Sequence, residues 1–171
     1  MRFFNSKARP HSFIVLVSTL AAAALLWLLL QATQAVSAPA VTFNLIDGRQ
    51  IPLAEHRGRP AIVTFWATSC TVCMAEMADW EALYQRHRQQ GLRLFAVAMP
   101  YDRADWVLAF AERFNWSFPI ALDPMGQVTT AFGDVDITPI TFLISPTGEI
   151  TQQLVGQVDF EELNKKLEQW L

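Results

Sequence analysis

A three-layer α/β/α sandwich with a mixed β-sheet is the fold class the sequence predicts, with an extra N-terminal β-hairpin and one N-terminal transmembrane helix ahead of it. Three observations predict it. Ala61–Trp66 (AIVTFW) and Leu92–Ala98 (LRLFAVA) are continuous apolar runs, the pattern of strands buried on both faces. A helical stripe separates them, and strands joined through helices pair in parallel with right-handed crossovers. Late in the chain, Pro146-Thr147-Gly148 joins two strand-like runs with no helix between them, which adds an antiparallel edge.

The remaining elements follow in order. Ser37–Ala40 reads as a linker, and Val41–Leu45 as a short strand. Asp47-Gly48 is a turn signal from which Gln50–Leu53 returns as a hairpin partner. Cys70–Gln90 reads as a helix, with Met74, Met77, Trp80, Ala82 and Leu83 as its stripe. Arg86, His87 and Arg88 suit its C-terminal dipole, and Gly91 ends it. Asp102–Phe114 is a helix expected to bury Trp106, Ala109, Phe110 and Phe114. Phe118–Leu122 is a strand and Gly126–Phe132 a short helix. Thr141–Ile144 and Glu149–Val155 form the late hairpin. Asp159–Leu171 is a terminal helix capped by Asp159, with Phe160, Leu163, Leu167 and Trp170 inward.

The 171 residues are 52% apolar, too apolar for a disordered chain. Two cysteines cannot staple a small disulfide scaffold. A formal charge of −3 excludes an electrostatic nucleic-acid binder, which needs a basic face.

Part of the apolar excess sits at the N-terminus. Arg2, Lys7 and Arg9 precede an uncharged apolar run from Phe13 to Leu30. As a helix it measures about 27 Å, close to the roughly 30 Å hydrocarbon core of a bilayer. Val36-Ser37-Ala38 offers a small-residue cleavage site, so a signal peptide is the competing reading. The length of the run favours an uncleaved anchor. Residues 1–38 are thus expected to anchor the chain in the inner membrane, or to be cleaved from a secreted form. Residues 39–171 are expected to form one acidic domain in the periplasm, because the basic flank stays cytoplasmic.

The chemistry centres on Cys70 and Cys73, in Trp66-Ala67-Thr68-Ser69-Cys70-Thr71-Val72-Cys73. They lie where a buried strand hands over to a helix. Unpaired N–H groups and the dipole at a helix start stabilise a thiolate, the nucleophile of disulfide exchange. The i, i+3 spacing puts the second sulfur one turn on, on the same face. Cys70 is therefore read as the exposed nucleophile and Cys73 as the buried resolving thiol. A structural disulfide is a competing reading, although so short a loop would constrain little chain entropy. A zinc site would want four ligands, and His11, His56 and His87 are scattered. His56 and His87 are read as solvated surface. Thr138-Pro139 stands just before a strand, where proline is tolerated.

Together these residues resemble the thioredoxin superfamily, and within it the membrane-anchored, exported TlpA/ResA/DsbE-like group. FWATSCTVCMAEM resembles the active-site segment, ITPITFLISPTGEI the cis-proline stretch with its hairpin, and FNLIDGRQIPL the group's extra N-terminal hairpin. The resemblance implies that Pro139 is the cis-proline, with Thr138 beside the substrate's extended chain. It implies a proton-moving role for Glu76 near the resolving thiol, and it places Trp66 at the site as a packed aromatic that, with Thr138, helps bind substrate. A solvated first-turn acid is the competing reading of Glu76. Thr64 stands where thioredoxin has a buried aspartate, so that relay is absent. Ser69, Val72 and Ile137 also depart from common family residues.

The resemblance implies a thiol–disulfide oxidoreductase acting on protein disulfides or thiols, without a cofactor, recharged by a membrane thiol-reductant donor. Cytochrome c maturation is a role that family members often serve. Reduction is the leading direction, and a disulfide oxidase or isomerase the alternative. A copper(I)-binding module using the same two cysteines is the alternative of a different class.

Overall fold

Strand Ala61–Trp66 (β4) lies at the centre of an eight-stranded sheet, and every one of its residues is buried. The computed structural model describes residues 36–171 together with Leu20, Ala23 and Ala24. The expected membrane span Phe13–Leu30 lies outside the described residues except at those three positions, which are helical. No helix among the described residues is long and apolar enough to cross a membrane. Val36–Leu171 forms one compact unit.

In chain order the unit contains β1 (Val36–Ser37), β2 (Thr42–Leu45), β3 (Gln50–Pro52) and β4. Helix α1 (Thr71–His87), β5 (Arg93–Ala98), α2 (Ala104–Phe114) and β6 (Ile120–Leu122) follow. The chain closes with α3 (Gln127–Ala131), β7 (Ile140–Ile144), β8 (Glu149–Val155) and α4 (Phe160–Leu167). Short 3-10 turns cover Leu53–His56 and Arg88–Gln90. The strand order is β1-β8-β7-β4-β5-β6-β2-β3. The β4–β5 and β5–β6 pairs are parallel, and all others are antiparallel. The sheet is therefore mixed, and the hairpin β2–β3 extends it beyond β6 as the sequence predicts.

Alternation along the central strands divides the core in two. Ile62, Leu94 and Ala96 face α1, α2 and α4, meeting Met77, Trp80, Leu83, Val107, Leu163 and Leu167. Val63, Phe65, Phe95 and Val97 face the other way, towards Phe43, Leu53, Val128 and Phe132. Helix α4 is capped as expected: the Asp159 carboxylate accepts from the Glu161 and Glu162 amides, both at 3.0 Å.

Four local expectations are corrected. The segment read as a linker begins as β1, with Val36 opposite Ile150 and Ser37 opposite Glu149. The open edge of β8 supplies that pairing. The hairpin return ends at Pro52, and Leu53 turns into a 3-10 segment that buries its side chain. His87 is only 3% exposed. Its ring nitrogens lie 2.7 Å from Gln90 Oε1 and Asn164 Oδ1, because α4 packs over the end of α1. His56 is half-buried, with its ring 5.3 Å from that of Phe95.

The fourth correction concerns α2. It buries Val107 and Ala111, not the expected Trp106, Ala109, Phe110 and Phe114. Trp106 is 50% exposed and Phe114 49%. The small pair fits the close approach to the sheet, and the rings stack along the rim. Ring centroids are 6.0 Å apart for Phe110–Phe114, 5.4 Å for Phe114–Trp116 and 5.7 Å for Trp116–Phe118. Arg103 covers Trp106, its guanidinium 5.1 Å from the ring.

Thr64 sits opposite Thr141 across β4 and β7. Their hydroxyls are 2.9 Å apart and both residues are buried. The position where thioredoxin carries an ionisable aspartate is thus a neutral, satisfied pair. Thr64→Val is expected to cost about 1–3 kcal/mol by stranding the Thr141 hydroxyl. The double change Thr64→Val/Thr141→Val should recover most of that loss, since no polar atom is then left unpaired. Urea denaturation of the two proteins checks the difference.

Candidate active site

The site grows from the end of β4. After Trp66 the chain leaves the sheet, and the Cys70 amide donates to the Ala67 carbonyl at 3.0 Å, closing a four-residue turn. Cys70 is the N-cap of α1, with extended backbone at φ −86° and ψ 104°. Its Sγ accepts from the Cys73 amide at 3.1 Å. The sulfur therefore meets the unpaired N–H groups of a 17-residue helix, where a thiolate is favoured.

Cys70 and Cys73 form a disulfide with a Cα–Cα distance of 5.3 Å, so the structure is the oxidised form. Cys70 is partly exposed and Cys73 is 2% exposed. Ser69, Thr71 and Val72 around them are exposed. An incoming sulfur can reach Cys70, while Cys73 is reachable only from within.

Pro139 joins the site through the sheet. Phe65 pairs with Ile140 in the antiparallel β4–β7 ladder, so the residue before Ile140 lies at the end of β4 that carries the cysteines. The Thr138–Pro139 bond is cis. Thr138 is half-buried, and the Pro139 carbonyl accepts from the Gly156 amide at 2.9 Å.

Glu76 is 3% exposed, not a solvated first-turn acid. One oxygen accepts from the Val158 amide at 2.6 Å. The other is buried and has no partner among the described residues. Burial pushes its carboxyl above the usual carboxylate range; the Val158 amide opposes this and the Asp79 charge adds to it. Glu76 lies one helical turn beyond Cys73, at the spacing of side chains that share a face. A buried carboxyl with a raised pKa is suited to accept and return a proton.

Trp66 was expected to help bind substrate, but at 1% exposure it lies beneath the site and cannot touch one directly. It meets Trp116 edge-on at 5.6 Å. Its indole nitrogen is buried without a partner among the described residues.

Two features escape sequence reasoning. The first is Asp102, whose carboxylate accepts from the Thr68 amide and hydroxyl, each at 2.6 Å. It lies 34 positions from Thr68, and no local pattern joins them. The second is an open groove of about 300 Å³ lined by Met74, Met77, Ala78, Glu81, Phe114 and Trp116. The helical stripe predicts Met77 as core and could not place Trp116, which follows α2. Among the described residues no group of three or more His, Cys, Asp or Glu side chains could hold a metal ion.

Comparison with known proteins supplies the family. Residues 35–153 match the AhpC/TSA family. The chain belongs to that family. Within it, the chain is 34% identical over 132 residues to the thiol-disulfide oxidoreductase ResA of Geobacillus thermodenitrificans, covering 77% of this chain and 75% of that one. It is 36% identical over 136 residues to ResA of Geobacillus kaustophilus, covering 78% and 77%. StoA from Bacillus subtilis superposes with a TM-score of 0.65 at 25% identity, covering 77% of this chain and 98% of that one. A thioredoxin-family thiol:disulfide interchange protein from Chlorobium tepidum TLS shares the fold at a TM-score of 0.74 and 20% identity, covering 80% and 97%. The AhpC/TSA protein is thus a thiol–disulfide oxidoreductase of the TlpA/ResA/DsbE-like kind.

The folded state holds the Glu76 proton more tightly than the unfolded state, so stability falls as pH rises from the unfolded value near 4.5 to the folded pKa, and the full penalty is present above it. The penalty shrinks as pH falls through the folded pKa and is gone below the unfolded value. Glu76→Gln keeps an oxygen for the Val158 amide and removes the charge. It is expected to be more stable than wild type at pH 7.5 and to lose that advantage towards pH 4. Urea denaturation of both proteins across that range measures it.

Proposed function

We propose that the domain reduces disulfides in exported proteins from the periplasmic face of the inner membrane, held there by its N-terminal segment. The observation that carries this reading is the unequal exposure of the two sulfurs at a helix N-terminus. In the reduced protein the Cys70 thiolate attacks one sulfur of a substrate disulfide. The other substrate sulfur departs as a thiolate and takes up a proton. Cys73 then loses its proton and attacks the Cys70 sulfur. The second substrate thiol leaves, and Cys70 and Cys73 are left as the disulfide seen here. Two electrons have passed from the dithiol to the substrate.

Glu76 serves as the proton acceptor for Cys73, through the oxygen that the Val158 amide does not occupy. Thr138 and Pro139 border the exchanging sulfurs and hold the substrate chain beside them. A membrane-embedded thiol donor returns electrons to the Cys70–Cys73 disulfide, and maturation of c-type cytochromes is a process this reaction would serve. The ResA relatives support the reaction class. The run Phe13–Leu30, with its basic flank, supports the location.

Two experiments test the reading. Cys70→Ser should abolish turnover of a disulfide-bonded protein substrate, while Cys73→Ser should accumulate a mixed disulfide through Cys70. Full activity in either variant overturns the mechanism. The direction of electron flow is read from the Cys70–Cys73 reduction potential in thiol redox buffers. A value below about −220 mV supports reduction, and one near −120 mV supports oxidation instead.

A further inference from the structure

Between the strand that ends at Trp66 and the helix that starts at Thr71, a carboxylate from outside the turn bonds to it twice. The Asp102 carboxylate takes the Thr68 amide on Oδ2 and the Thr68 hydroxyl on Oδ1, both at 2.6 Å. Oδ1 also accepts from the Arg103 amide at 3.0 Å. Asp102 is itself fixed, because its amide donates to the Met99 carbonyl at 2.9 Å, and the Met99 amide donates to the Trp66 carbonyl at 2.9 Å. The clamp thus runs from the end of β4, through the β5–α2 loop, and back to the turn that carries Cys70.

We propose that Asp102 is a positioning residue for the nucleophile: through Thr68 it holds the Ala67–Cys70 turn so that the Cys70 sulfur stays against the amide N–H groups of α1. This rests on the reading of Cys70 as the nucleophile. In the oxidised protein the covalent bond to Cys73 also fixes Cys70. Reduction removes that bond, and the turn must then be held by its hydrogen bonds and by the packing of Ala67 in the core. The clamp therefore matters most in the dithiol state, when the sulfur has to attack. Charge-assisted hydrogen bonds of this length are the stronger kind, and two of them on one residue leave the turn little freedom.

A positioning role and a charge role have opposite signs. Loosening the turn takes the sulfur away from the helix N-terminus and raises the pH at which Cys70 becomes a thiolate. Deleting a nearby negative charge, acting through space alone, lowers it. Other charged side chains on neighbouring elements are Arg103 and Asp105 in the same loop and helix, Glu76 on α1, and Asp134 and Asp136 before Pro139. All of them stay unchanged in the variants below.

The test is the pH profile of Cys70 alkylation by iodoacetamide in the reduced full-length protein, with the labelled cysteine identified by mass. Asp102→Ala and Thr68→Val should each raise the midpoint. Each should slow labelling at pH 7 by about threefold or more, the change in thiolate fraction that about half a pH unit produces. The double variant should be no slower than the slower single one, because the two residues act as a unit. Asp102→Asn should fall between wild type and Asp102→Ala: its amide oxygen can accept from the Thr68 amide and its amide nitrogen can donate to the Thr68 hydroxyl, while the bond from the Arg103 amide is lost. A lowered midpoint in Asp102→Ala, an unchanged midpoint in Thr68→Val, or fully additive losses would overturn the proposal. If Asp102→Ala does not fold, Thr68→Val and Asp102→Asn still decide it. Faster labelling of Cys73 than of Cys70 in the wild-type protein would sink the nucleophile assignment instead, whatever Asp102 does.

Discussion

Burial of β4 along its whole length is the constraint on which the site depends. The strand is paired on both sides, in parallel with β5 and antiparallel with β7. Its two faces contribute to separate apolar clusters. Such a strand cannot shift register without turning its side chains to the wrong layer. Its carboxyl end is therefore a fixed point, and the chain can change direction there only through the turn that carries Cys70. The same register brings Pro139 to that end from β7. Sheet pairing alone thus brings the cysteine turn and Pro139 to the same end of β4.

Around this fixed point the protein tolerates polar atoms that a purely structural core would avoid. One Glu76 oxygen and the Trp66 indole nitrogen are buried without partners among the described residues. Burying an unpaired polar group costs free energy, whereas Thr64 and Thr141, deeper in the same sheet, satisfy each other. The contrast separates the two parts of β4. Its middle is arranged for stability, while the helix that starts beyond its end keeps a buried carboxyl in an apolar setting. Val158, at the start of the segment leading into α4, holds that carboxyl in place, so the far end of the chain also serves the cysteine helix.

Helix α2 contributes in a way its composition hides. Its aromatic residues are displaced from the core to the rim, where Phe114 and Trp116 wall a groove that begins at Met74. The Met74 amide donates to the Cys70 carbonyl at 3.0 Å, so the groove opens one helical turn from Cys70. The loop ahead of α2 supplies Asp102. One element thus borders the site on its apolar side and braces the cysteine turn on its polar side.

Much of this was legible in the residues. Continuous apolar runs identify β4 and β5, because only a strand covered on both faces is apolar at every position. The Cys70–Cys73 spacing at a strand-to-helix junction identifies the chemistry, and Asp47-Gly48 and Pro146-Thr147-Gly148 mark the hairpins. These signals are local: each is a pattern within a few residues, and backbone geometry translates it directly. The helical stripe of α2 misled, because periodicity locates an apolar face but cannot say which residues will fit against a closely packed sheet. Neither the burial of Glu76 and His87 nor the Asp102–Thr68 clamp is written in any local pattern. Each depends on an element distant in sequence, α4 or the β5–α2 loop, arriving at a particular height on the sheet. The sequence by itself determined the layers, the strands and the reactive pair; only the tertiary structure decided which polar side chains are shut away from water and which distant residue holds the cysteine turn, because both are set by packing between elements far apart in the chain.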